Sequence, residues 1–138
     1  MFTFKVYIKS IHCNSITDSL LEGAEDELYL RVWHKDFNNI FPKQEISLGN
    51  FTPGKKVDIN RIVFDRQFPE IDSLCFDFYD SDKFSSDDLL GGFTLSPKNI
   101  MKVGPDTKYT HEKNNMMSSF QLIGHGSDYV IEATFQTA

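Results

Sequence analysis

Asp80, Asp82 and Asp88 fall within nine residues of chain, in the stretch YDSDKFSSDDLL, and Asp87 adds a fourth carboxylate to it. The apolar alternation Leu74, Phe76, Phe78 leads into this stretch, and Leu89-Leu90 leads out of it. The acids therefore belong to a connection between two strands, and along an extended chain Asp80 and Asp82 project to the same side. Hard oxygen donors converging from one loop are the ligand set that calcium takes. Without a cation the arrangement is costly. Two carboxylates about 5 Å apart repel by roughly 3 kcal/mol at an effective dielectric near 20. Lys83 is the only basic residue inside the stretch. The competing reading is conformational, because aspartate is frequent in turns, where it bonds its own backbone.

The elements that must carry these residues are legible as alternation. Phe2, Phe4, Val6 and Ile8 alternate against Thr3, Lys5 and Tyr7. Leu28, Leu30 and Val32 alternate against Tyr29, Arg31 and Trp33. Further strands are predicted at 44–48, 55–64, 73–79, 90–95, 118–123 and 129–135, each bounded by turn residues. A change of parity near Asn60-Arg61 predicts a bulge or corner in the 55–64 strand. Segment 11–26 reads as a loop, Ser96-Pro97 as the start of a short helix to Met101, and 103–115 as a long exposed connection. Eight short strands with little helix predict an all-β antiparallel sandwich or barrel.

A chain of 138 residues with 40% hydrophobic content is expected to fold as a single domain over 1–138. The net charge of -6 argues against nucleic acid as a partner, and against membrane attachment through bulk positive charge. Cys13 and Cys75 are too few for a disulfide framework and read as free thiols of a reducing compartment. The N-terminus shows no apolar run followed by a small-residue cleavage site, so the expected location is cytoplasmic, with leaderless export as the alternative. His12, His34, His111 and His125 are scattered and show no zinc spacing. Nucleophile-elbow, phosphate-loop and H-E-x-x-H motifs are absent, and the expectation is a binding module and not an enzyme.

With these residues in view, the chain resembles a C2 domain. The strand Leu74–Phe78, then Asp80, Asp82, Asp88, Leu89, Leu90 and Gly91, is similar to the family's signature of Asp-x-Asp-x5-Asp followed by two apolar residues and glycine. Glu27–Val32, Lys55–Phe64 and the closing Phe120-Gln121-Leu122 with Tyr129–Phe135 also look like the family's strands. The resemblance implies an eight-stranded, C2-like antiparallel β-sandwich with calcium loops at one end and calcium-dependent docking to anionic phospholipid. It places Asp80, Asp82 and Asp88 as third-loop ligands. In the first loop Glu27-Leu28-Tyr29 stands where the family has Asp-Pro-Tyr, preceded by Asp26 and Glu25, with Asp18 or Glu22 as the other acid.

The expected function is therefore a peripheral membrane module that binds calcium through Asp80, Asp82, Asp88, Asp26 and Asp18. Phe84 and Lys83 at the loop tip are the expected membrane contacts, an apolar ring beside a cation. The alternative is a calcium-independent protein-interaction or assembly module, such as a targeting subunit of a larger complex or toxin. A further possibility is a carbohydrate-binding sandwich with Trp33 or Tyr129 lining a groove.

Overall fold

A computed structural model describes residues 2–16, 25–34, 43–68, 73–81, 87–96, 101–111 and 117–137. Ten strands are present among them: β1 (Phe2–Ser15), β2 (Asp26–Trp33), β3 (Gln44–Phe51), β4 (Lys56–Phe68), β5 (Leu74–Asp80), β6 (Asp88–Leu95), β7 (Met101–Val103), β8 (Thr107–His111), β9 (Ser118–Leu122) and β10 (Asp128–Thr137). They form two five-stranded sheets, ordered β4-β1-β10-β9-β8 and β3-β2-β5-β6-β7. Each strand pairing within them is antiparallel.

The alternation of the sequence sets which side faces inward. Val6, Ile8, Ile11, Cys13, Phe120, Leu122, Tyr129 and Ile131 from the first sheet meet Leu28, Leu30, Val32, Phe76, Phe78, Leu90 and Phe93 from the second. Phe93 stacks on Phe76 at 4.9 Å and on Phe120 at 4.5 Å, which ties the two layers at their centre. The expected bulge in β4 is found: Tyr7 pairs with Ile62, Ser10 with Asp58, and Asn60 between them adopts φ 46°. The Tyr7 hydroxyl donates to Asn60 Oδ1 at 2.8 Å.

The all-β sandwich expected from the sequence is present, with two strands more than the eight anticipated. β8 occupies part of the 103–115 segment read as a connection; of the short helix expected from Ser96-Pro97 to Met101, residues 97–100 lie outside the described residues, and Met101 opens β7. β8 is a sheet edge whose residues after Thr107 are exposed, so it lacks the apolar alternation that marks a half-buried strand. β1 also runs to Ser15, beyond the predicted start of the first loop. Cys75, on the parity opposite to Leu74, Phe76 and Phe78, is nevertheless buried, while Asp77 and Tyr79 on the same side are half-buried. Neither cysteine forms a disulfide.

Candidate functional site

Register brings the strand ends that flank segments 17–24 and 82–86 to one end of the sandwich. Asp26 pairs with Phe51, Leu28 with Asp80, and Asp80 with Asp88. In the other sheet Ser15 pairs with Asp128 and His12 with Lys56 at the same end. The turn at 52–55 joins the two sheets there. The Cys13 N–H donates to Lys55 O at 2.9 Å, and the Gly54 N–H donates to Cys13 O at 2.8 Å.

Three neighbouring strands turn from apolar to acidic at this end. In β2 the inward stripe Val32, Leu30, Leu28 continues to Asp26. In β5 the stripe Leu74, Phe76, Phe78 continues to Asp80. In β6 the buried Leu90 is preceded, two residues earlier, by Asp88. Asp26 is 2% exposed and Asp80 is 7% exposed, both unusual for a carboxylate. Buried charges require polar partners. The Tyr129 hydroxyl donates to Asp26 Oδ2 at 2.6 Å, and the Glu27 N–H donates to Asp80 Oδ1 at 3.0 Å. The Ser81 N–H returns a bond to Glu27 O at 2.9 Å and closes the β2–β5 ladder.

The periphery of this cluster is polar. His125 Nδ1 lies 3.7 Å from Asp88 Oδ1. His125 sits at φ 55° in the 3-10 turn Gly124–Gly126, whose Gly124 lies so close to the Leu90 carbonyl oxygen that a side chain would collide with it. Asn50 Nδ2 donates to Glu25 Oε1 at 3.0 Å, and Lys55 Nζ donates to Asn50 O at 2.7 Å while lying over the Phe51 ring. On the outer face of β2 and β5, Tyr29 donates to Asp87 Oδ2 at 2.5 Å and stacks on Tyr79 at 5.3 Å. The Arg31 guanidinium covers Tyr79 at 4.5 Å, and Trp33 Nε1 donates to Asp77 Oδ2 at 2.6 Å.

Of the sequence-derived site residues, Asp26, Asp80 and Asp88 are brought to this end. Asp18, Asp82, Lys83 and Phe84, with Glu22, lie outside the described residues. Among the described residues no three His, Cys, Asp or Glu side chains are grouped closely enough to hold a metal ion. Tyr129 is fully buried, so it does not line a sugar groove, and the carbohydrate-binding reading loses it. Its parity with Ile131 and Ala133 was the signal that it faces inward. The contribution of Tyr129, His125 and Asn50 to this end escapes sequence reading, since each meets its partner across a long chain separation. No helix among the described residues is long and apolar enough to cross a membrane.

Titration behaviour follows this packing. Burial, then the hydrogen bond to Asp26, raises the Tyr129 hydroxyl well above the ordinary tyrosine range. Burial, then the bond to Asp87, does the same for Tyr29. Burial also raises the Cys13 thiol. The phenols accordingly remain donors to their carboxylates through the neutral range.

No protein-family model and no curated protein matches the chain. Among solved structures it is similar to a C2 domain of plant Extended Synaptotagmin 1, with 13% identity over 97% of this chain and 93% of that one, and a TM-score of 0.48. It is similar to human GIVD cytosolic phospholipase A2, with 13% identity, a TM-score of 0.51, and coverage of 99% of this chain but 16% of the phospholipase chain. A third similar structure is a C2 domain, with 15% identity over 99% of both chains and a TM-score of 0.46. At such identities the likeness concerns the fold. That fold is a C2-like antiparallel β-sandwich, in agreement with the resemblance carried by the sequence.

Proposed function

We propose that this C2-like domain binds calcium at its acidic loop end and docks there to anionic phospholipid. The observation that supports the reading is the ending of three adjacent inward stripes, on β2, β5 and β6, in Asp26, Asp80 and Asp88. Carboxylate oxygens are the donors calcium takes, and an ion accepts six to eight of them or their equivalents. Each carboxylate also offers about four lone-pair positions, so one hydrogen bond does not exhaust it. In this reading Asp26, Asp80 and Asp88 are joined by Asp82 and Asp18 from the adjoining segments. Bound calcium would supply positive charge where the chain is most acidic, and so reverse the repulsion between a protein of charge -6 and an anionic surface. Phe84 and Lys83 would add an apolar and a cationic contact with the lipid interface. The domain then acts as a peripheral binding module on the cytoplasmic side of a membrane, without catalysis of its own.

A second reading is favoured by the hydrogen bonds that Asp26 and Asp80 already receive from Tyr129 and Glu27. These carboxylates then brace the loop end internally, and the module binds a protein partner without calcium. Co-sedimentation with phosphatidylcholine–phosphatidylserine vesicles separates the two. The first reading expects pelleting in calcium, release in EDTA, and loss of pelleting in the Asp80→Asn/Asp82→Asn double variant. Equal pelleting of wild type in calcium and EDTA sinks it.

A further inference from the structure

We propose that β8 is a self-association edge: it pairs antiparallel with β8 of a second copy of this chain, about a two-fold axis at Tyr109, so that two five-stranded sheets become one continuous sheet. The inference is independent of the calcium reading.

A strand at a sheet edge offers unpaired N–H and C=O groups to another strand, and proteins blunt such edges with bulges, charges, brevity or a cover. The edge strands are β4 and β8 in one sheet, and β3 and β7 in the other. β4 is broken by register shifts and carries exposed Lys56, Asp58, Arg61 and Asp65. On β3 the Ser47 carbonyl accepts from Arg61 Nη1 at 3.4 Å, and the Asn50 carbonyl accepts from Lys55 Nζ at 2.7 Å. β7 has only three residues. β8 has five residues in unbroken register with β9, and Lys108 is its one formal charge.

The turn before β8 fixes where its main-chain groups point. The Ile123 N–H donates to Asp106 O at 2.8 Å, and hydrogen-bonded pairs alternate along an antiparallel ladder. Lys108 and Thr110 therefore bond β9, and the N–H and C=O of Thr107, Tyr109 and His111 point away from it. Lys108 to His111 are all exposed. The side chains of Tyr109 and His111 are drawn towards β9, since Tyr109 Oη and His111 Nδ1 each lie 3.1 Å from Ser118 Oγ. A second β8 set antiparallel about Tyr109 places Tyr109 against its own copy, Thr107 against His111, and Lys108 against Thr110. Every outward-pointing residue then meets an outward-pointing one, and no like charges stand directly opposite. Such a contact is isologous and closes as a dimer. Tyr109 is 38% exposed, and Val103, on the strand that precedes the turn into β8, is 41% exposed; both add apolar surface beside the edge. A ladder this short makes a small interface, so the dimer is weak and its population depends on concentration.

The test is sedimentation equilibrium of wild type, Thr110→Lys and Thr110→Glu over a concentration series reaching about 1 mM. Position 110 faces Lys108 of the second copy, twice in each dimer. Wild type is expected to dimerise reversibly, Thr110→Lys to dimerise more weakly and Thr110→Glu more tightly, each by about 2–30-fold in dissociation constant. A monomer at every concentration overturns the proposal and leaves the edge to an extended peptide of another protein. Dimers indifferent to both substitutions use another surface, and overturn it as well. Should either variant fail to fold, exchange of the Tyr109 amide proton in the wild-type protein decides. It must slow as concentration rises, and an unchanged rate overturns the proposal.

Discussion

Tyr129 and Tyr29 hold the same kind of bond, a phenol donating to an aspartate, in two different settings. One spans the interior between the sheets, and the other caps the outer face of β2. Burial raises both hydroxyls above the tyrosine value of 10.0. A group whose folded pKa lies above its unfolded value contributes stability that is complete below the unfolded pKa and is lost as pH rises beyond it. Unfolding free energy is therefore expected to fall above pH 10, by up to about 1.4 kcal/mol per pH unit for each of the two tyrosines. Urea unfolding from pH 8 to 11 measures it, and Tyr129→Phe should give a shallower decline than wild type. An identical slope in the variant would show that Tyr129 titrates alike in both states. Sequence spacing places Asp80 and Asp88 together because only one short connection separates them. It is silent on Tyr129 and Asp26, whose meeting depends on how two sheets stack.

The β5–β6 hairpin is the element that sets the position of the site. Its register pairs Asp80 with Asp88 at one end and Leu74 with Leu95 at the other. Phe93, midway along β6, touches Phe76, Phe120 and Phe135 and so locks the hairpin to the opposite sheet. Phe93→Ala should cost about 3–5 kcal/mol in unfolding free energy, the range for removing a large buried aromatic ring. Gly92 serves a different purpose. A side chain there would collide with the Phe76 carbonyl oxygen and come within 2.7 Å of Asp77 Oδ1. Gly92→Ala should accordingly destabilise by about 1–3 kcal/mol, the usual range for overpacking, although alanine favours order more than glycine does. Chemical denaturation measures both, and a Gly92→Ala protein as stable as wild type would contradict the close approach. This hairpin is legible in sequence because apolar alternation marks β5 and a turn-rich acidic stretch separates it from β6. β7 and β8 are not. They are short edge strands, and β8 shows solvent a polar row with no period for the eye to catch.

At the scale of the whole molecule, the strand-end carboxylates Asp26, Asp80 and Asp88 stand at the same end of the sandwich. The calcium reading and the calcium-independent reading predict different consequences. If an ion belongs at this end, the ion-free protein carries uncompensated repulsion among Asp80, Asp82 and Asp88. Calcium should then raise the melting temperature by several degrees, since ligand at about 100 times its Kd adds roughly 2.7 kcal/mol. The Asp80→Asn/Asp82→Asn variant should lose that rise. Its carboxamide oxygen at position 80 still accepts the Glu27 N–H that Asp80 accepts now at 3.0 Å, so the ladder at the end of β5 is kept. With the repulsion relieved, the variant in EDTA should melt at or above the wild-type temperature in EDTA. If instead the carboxylates serve as internal braces for a protein-binding surface, calcium leaves the melt unchanged and the double substitution lowers it. Two melting curves for each protein, with and without millimolar calcium, separate these outcomes through the sign of the change in EDTA as well as the presence of a calcium shift.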